Sequence, residues 1–184
     1  MEVTLEQLIK GMVIQSGNDA SVALAEHLAG TEEAFAGLMN HYAVQLGMTN
    51  SNFMNATGLP HEDHYTTARD MAIVTTATIR EFPELYSWYA EKEFVFNGIK
   101  QGNRNMLLYQ DDSVDGVKTG HTEAAGYCLV ASAQREDMRL TSVVMGSTGP
   151  KTRAEASLAL LNYGFRFYES HKLYAGGEPV ENLR

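Results

Sequence analysis

Near residue 90 the spacing of apolar side chains changes from the helical period to the strand period, and this change limits the possible folds more than any other feature. Leu5, Leu8, Ile9, Met12 and Val13 fall on one helical face behind a Thr4-x-x-Gln7 capping box. Gln15-Ser16-Gly17-Asn18 breaks that helix. A helix of small residues follows, carrying Ala20, Ala23, Leu24 and Leu28 and stopped by Gly30. Thr31 can cap a third, with Phe35, Leu38, Met39, Tyr42 and Leu46, closed by Gly47. Residues 48–65 read as a polar loop. Thr67 and Asp70 open a fourth helix, with Met71, Val74 and Thr78, which Phe82-Pro83 ends. Beyond it Phe94 and Phe96 alternate before Asn97-Gly98, a hairpin signal. Residues 115–119, 126–134 and 138–146 read as strands, the last two joined at Arg135-Glu136-Asp137. A final helix over 152–169 carries Ala156, Leu160, Leu161 and Phe165, and residues 173–184 read as the start of a linker. Helices first, then an antiparallel run closed by a helix, is an α+β layout: a helical part over about 1–90 and a sheet part over about 91–172.

A chain of 184 residues can bury one sizeable core. With 14 Lys and Arg against 23 Asp and Glu, its net charge of -9 argues against a nucleic-acid surface. Cys128 is the only cysteine, so no internal disulfide forms, and its place in Tyr127-Cys128-Leu129-Val130 reads as a small buried hydrophobe. No apolar stretch approaches the ~20 residues of a spanning helix.

Two short motifs carry chemistry. Ser16-Gly17-Asn18 is either a plain turn, with Gly17 as helix stop and Asn18 as the next N-cap, or a hydroxyl and an amide presented together from an inter-helix loop. Lys118-Thr119-Gly120 ends a strand. It reads either as an edge protected by lysine or as a hydroxyl, a charge and an unobstructed backbone edge for an extended peptide ending in a carboxylate. Arg153, at the start of the last helix, is a candidate anion contact, with a solvated arginine as the alternative. VVMGSTGPKT fails the phosphate-loop pattern, because Pro150 stands before Lys151 and Met145 occupies the first glycine position. His61-Glu62-Asp63-His64 lacks metal-ligand spacing and follows Pro60 in a loop.

Together, Ser16-Gly17-Asn18 and Lys118-Thr119-Gly120 resemble the second and third motifs of the penicillin-interacting serine enzymes. "LIKGMVIQSGNDASVALAEHLAG", "FAGLMNHYAVQLGM", "YTTARDMAIV", "YSWYAEKEFVFNGIKQGNRN", "VDGVKTGHTEAAGYCLVASA" and "LLNYGFRFYE" extend the resemblance to the low-molecular-mass D-alanyl-D-alanine carboxypeptidases over nearly the whole chain. The resemblance implies a β-lactamase/transpeptidase-like fold in truncated form, with three of the usual five strands. It implies a serine-type carboxypeptidase that removes the terminal D-alanine of peptidoglycan stem pentapeptides and is acylated by β-lactam antibiotics. No metal or other cofactor is implied. The expected location is the periplasm, with the full-length protein held at the outer face of the inner membrane.

The family's nucleophile is the serine of S-x-x-K, and no lysine here has a serine three residues before it. The resemblance therefore implies a fragment inactive by itself, and an alternative is a non-catalytic module that binds peptidoglycan or a partner. A class A β-lactamase fits less well, since those enzymes usually carry S-D-N. Ser16 would relay a proton beside Lys118, and Asn18 would hold the substrate amide. Thr119 and Arg153 would bind the terminal carboxylate, Gly120 would let the peptide lie along the strand, and the His121 N–H would be an oxyanion donor. Strand 138–146 would be left as an unpaired apolar edge, open to self-association.

Overall fold

The structure, a computed structural model, describes residues 2–171 and 173. Four helices form the first half: α1 (Leu5–Gln15), α2 (Asn18–Ala29), α3 (Glu32–Leu46) and α4 (Ala68–Glu81). The Thr4–Gln7 capping box is present, and Thr31 and Thr67 accept the N–H of Ala34 and Asp70. Gly47 closes α3 with φ 81°, a left-handed position that glycine takes without Cβ strain. Pro83 ends α4 as expected, then opens a short helix α5 (Pro83–Tyr86) that runs into a 3-10 turn at Ser87–Ala90.

One junction differs from its expectation. Ser16, not Gly17, takes the left-handed C-cap of α1, at φ 60°. Gly17 is the extended N-cap of α2, and Asn18 is that helix's first residue. Backbone closure explains the shift, since the N–H groups of Ser16 and Gly17 turn back onto Met12 and Gly11.

The buried helical seams are also smaller than spacing suggested. Ala25, Ala36 and Ala43 are buried with Val13, Ile14 and Leu24, whereas Leu5 is 57% and Leu28 62% exposed. Alanine lets helix axes approach closely. The larger residues Leu5, Ile9 and Met12 instead line an apolar groove of about 360 Å³ with Leu24, Phe82 and Leu85.

The sheet half begins with the hairpin β1 (Glu93–Phe96) and β2 (Ile99–Gly102). Phe96 pairs Ile99 across Asn97-Gly98, whose φ values of 49° and 75° are those of the predicted tight turn. A second 3-10 turn, Met106–Tyr109, leads into β3 (Val114–Thr122), β4 (Gly126–Arg135) and β5 (Met138–Ser147), antiparallel in that order. All three strands run one to four residues longer than the alternation suggested.

The last helix, α6, spans Pro150–Phe167, beginning and ending two residues earlier than expected. Its buried face holds Arg153, Ala154, Ser157 and Leu161, while Leu160 stands half exposed. Leu107, Leu108, Val114, Leu129, Ala131 and Ala133 meet this face and form the main core. On the sheet's other side Tyr86, Val117 and Val130 pack with Met71 and Ile79. The sheet is thus covered by α6 on one face and by the helical half on the other. The linker expected over 173–184 lies outside the described residues apart from Leu173.

Candidate active site

Among the described strands β3 pairs with β4 alone, and the other side of its C-terminal part opens on a cleft of about 810 Å³. The same cleft is lined by the α1–α2 junction, α4 and the N-terminal turn of α6. All seven sequence-predicted residues border it: Ser16, Asn18, Lys118, Thr119, Gly120, His121 and Arg153. Among the described residues, no Asp or Glu lines it.

The left-handed turn at Ser16 holds its hydroxyl against the Lys118 side chain, whose Nζ donates to Ser16 Oγ and, at 2.7 Å, to the Thr119 carbonyl. These partners lie 102 residues apart in the chain. Burial, then the nearby Arg104 and Arg153 guanidinium groups, hold the Lys118 ammonium down to a pKa of about 8. Lys118 is thus mostly charged at pH 7 and loses that charge one unit higher.

Arg153 is buried, and its Nη1 donates to the carbonyls of Gly120 (3.0 Å) and Cys128 (3.2 Å). Its guanidinium lies 5.5 Å from the Tyr127 ring centre, and Tyr127 stacks on His121 at 3.9 Å. These contacts fix Arg153 beside Thr119 and Gly120, so the arginine is not the solvated surface residue of the alternative reading. A Cβ at Gly120 would have its nearest neighbour, Cys128 Cβ, at 3.9 Å, an ordinary contact. What glycine leaves at this position is an open edge. Cys128 itself is half-buried on the cleft wall, a correction to the buried-hydrophobe reading.

Two parts of the site carried no signal recognised in the sequence. Arg104 lines the cleft and donates from Nε to Gln15 Oε1 at 2.7 Å, next to Ser16. Its loop is riveted by two buried asparagines. Asn103 donates to the carbonyls of Tyr89 and Glu91, and Asn105 donates to the Gly116 carbonyl at 3.0 Å. An arginine between two buried asparagines is the pattern that could have flagged it.

The second part is Ala56–Leu59, the tip of the polar loop, which forms one wall. Asp70, buried at the start of α4, anchors this loop by accepting from Asn50 N (2.8 Å) and Ser51 Oγ (2.7 Å). The Ser51 hydroxyl is the foremost cause holding the Asp70 carboxyl below its usual range. Glu32 accepts the Ala56 N–H at 3.0 Å. The histidines of the same loop serve it locally: His61 accepts from Asp63 N and His64 from Met54 N.

The strand that carries Lys118 is set by a bulge at Asp115. The freed carboxylate accepts from Tyr86 Oη at 2.9 Å and pairs with Arg139 at 2.6 Å. Tyr86 stays neutral, its pKa raised first by burial. A Cβ on Gly116 would meet Tyr86 Oη at 2.5 Å. Gly116→Ala is therefore expected to displace Tyr86 from Asp115 and cost about 1–3 kcal/mol. Urea melts check this, and an unchanged midpoint would refute it.

A two-faced α+β sheet whose edge strand meets a serine hydroxyl through a lysine defines a module of the transpeptidase and penicillin-binding type. The D-alanyl-D-alanine carboxypeptidase family of peptidases S11 matches residues 1–149, and the chain belongs to that family. It is 53% identical to the D-alanyl-D-alanine carboxypeptidase DacA of Escherichia coli K12 over 171 residues, 92% of this chain and 42% of that protein. It superposes on penicillin-binding protein 5 of Haemophilus influenzae with a TM-score of 0.95 at 47% identity, covering 98% of this chain and 53% of the other. Penicillin-binding protein D2 of Listeria monocytogenes, solved in a cefotaxime-bound form, matches at a TM-score of 0.83 and 29% identity, over 89% of this chain and 67% of the other. The chain spans less than half the length of the curated DacA relative.

Proposed function

We propose that these residues are the proton-relay and carboxylate-binding part of a serine-type D-Ala-D-Ala carboxypeptidase that removes the terminal D-alanine of peptidoglycan pentapeptides. The observation that carries this reading is the Lys118–Ser16 contact in one cleft with the buried Arg153. Attack on the carbonyl between the two D-alanines falls to a serine of an S-x-x-K motif, which residues 1–184 do not contain. Ser16 then passes a proton to the departing D-alanine nitrogen, with the Lys118 ammonium polarising its hydroxyl. Asn18 holds the substrate amide. Thr119 and Arg153 hold the terminal carboxylate, and the His121 N–H is one of two donors to the oxyanion. A β-lactam enters by the same carboxylate contact. No step falls to a metal or other cofactor. The reading places the full-length protein in the periplasm, at the outer face of the inner membrane. No helix among the described residues is long and apolar enough to cross a membrane.

Titrating residues 1–184 with an N-acylated D-Ala-D-Ala peptide, followed by NMR shifts at Thr119 and His121, tests the carboxylate seat. Arg153→Gln is expected to weaken binding about tenfold or more, equivalent to ~1.4 kcal/mol. Equal affinity in a folded variant would refute the assignment.

β5 pairs with β4 alone among the described strands, so its outer edge is open. Self-association of residues 1–184 through this edge is expected to show as concentration-dependent mass in light scattering, and a monodisperse monomer would count against it.

A further inference from the structure

We propose that Ser16 and Lys118 form a latent Ser–Lys dyad, in which Ser16 Oγ itself accepts an acyl group from small activated esters. The inference goes beyond the carboxypeptidase reading, which gives Ser16 only a proton-relay role, and rests on that reading only where it excludes β-lactams. Three observations carry it. Ser16 holds a left-handed backbone at φ 60°, uncommon outside glycine and of the kind that clusters at functional sites. Its hydroxyl touches the side-chain nitrogen of a partly buried lysine. Both groups line an open cleft of about 810 Å³ with room for a ligand. A serine activated by a lysine is a recognised variant of the nucleophile–base pair.

Neutral Lys118 Nζ takes the Oγ proton, and Oγ bonds to the acetyl carbon of p-nitrophenyl acetate. The aryl C–O bond breaks, and p-nitrophenolate leaves with the electron pair. The products are O-acetyl-Ser16 and the Lys118 ammonium.

Lys118 must be neutral to act as base, so the rate rises with pH about a midpoint near 8. The titratable and charged groups that line the cleft with it are Arg104, Arg153, His121, Tyr89, Tyr127 and Cys128. Arg104 and Arg153 favour the neutral amine. A β-lactam does not take this route. On the proposed function its carboxylate goes to Thr119 and Arg153, and Ser16 serves the departing nitrogen rather than the carbonyl carbon. A small neutral ester has no such anchor and is free to turn its carbonyl to Oγ.

The test treats residues 1–184 with p-nitrophenyl acetate, follows p-nitrophenolate release from pH 6 to 10, and locates the acetyl group by peptide mass spectrometry. The expected result is one acetyl group on Ser16, removable by hydroxylamine. Ser16→Ala and Lys118→Met should each lose about 10²-fold or more in burst rate while keeping native near-UV dichroism. Acetyl on Cys128 or on Lys118 Nζ with Ser16 unmodified would overturn the proposal. So would an Ser16→Ala burst equal to that of the parent chain, or a rate that does not rise through pH 8.

Discussion

Replacing Lys118 by methionine in the full-length product of the gene is expected to slow acylation by penicillins by about 10²–10⁴-fold, the range typical for loss of a positioned proton-transfer group. Methionine matches the length of the partly buried lysine stem, so the fold should be kept. What is lost is the ammonium that touches Ser16 Oγ, and with it a positive charge beside the carboxylate seat proposed at Thr119 and Arg153. Pre-steady-state labelling with a fluorescent penicillin measures the loss. A decrease under tenfold would contradict the role given to Lys118.

The second large effect concerns stability. Leu129 is 1% exposed at the centre of β4, where its backbone pairs with Thr119 on one side and Val144 on the other. Leu129→Ala should cost about 2–5 kcal/mol, since a rigid sheet faced by α6 collapses poorly onto a cavity. Against a total of about 5–15 kcal/mol for a typical domain, that is a large fraction. The strand carrying Thr119 and Lys118 should loosen with it. Chemical denaturation checks the figure, and a cost below about 1 kcal/mol would show that the core is not centred on this residue.

Much of this architecture is legible in the chain because local signals and tertiary demands agree. Thr4, Thr31 and Thr67 cap helices in sequence and in space, and Asn97-Gly98 turns the hairpin it announces. The two short motifs lie far apart in sequence, and Lys118 and Ser16 meet as their resemblance to known enzymes implies.

The departures have physical causes. The α1–α2 junction is decided by which N–H groups fold back on Gly11 and Met12, something residue type alone does not reveal. In α6 the phase of the buried face follows from Arg153 reaching the carbonyls of Gly120 and Cys128. A charged residue therefore sits where periodicity seeks an apolar one. Arg104 and Ala56–Leu59 join the site through long-range anchors, Asn105 to Gly116 and Asp70 to Ser51, and only the Asn103-Arg104-Asn105 run leaves a local trace of either.

The most direct test of the central claim is covalent labelling by a fluorescent penicillin, carried out on residues 1–184 and on the full-length gene product under the same conditions. The account predicts label only on the full-length protein, on a serine outside these residues. Stoichiometric label on residues 1–184 alone, or none on the full-length protein, would contradict it.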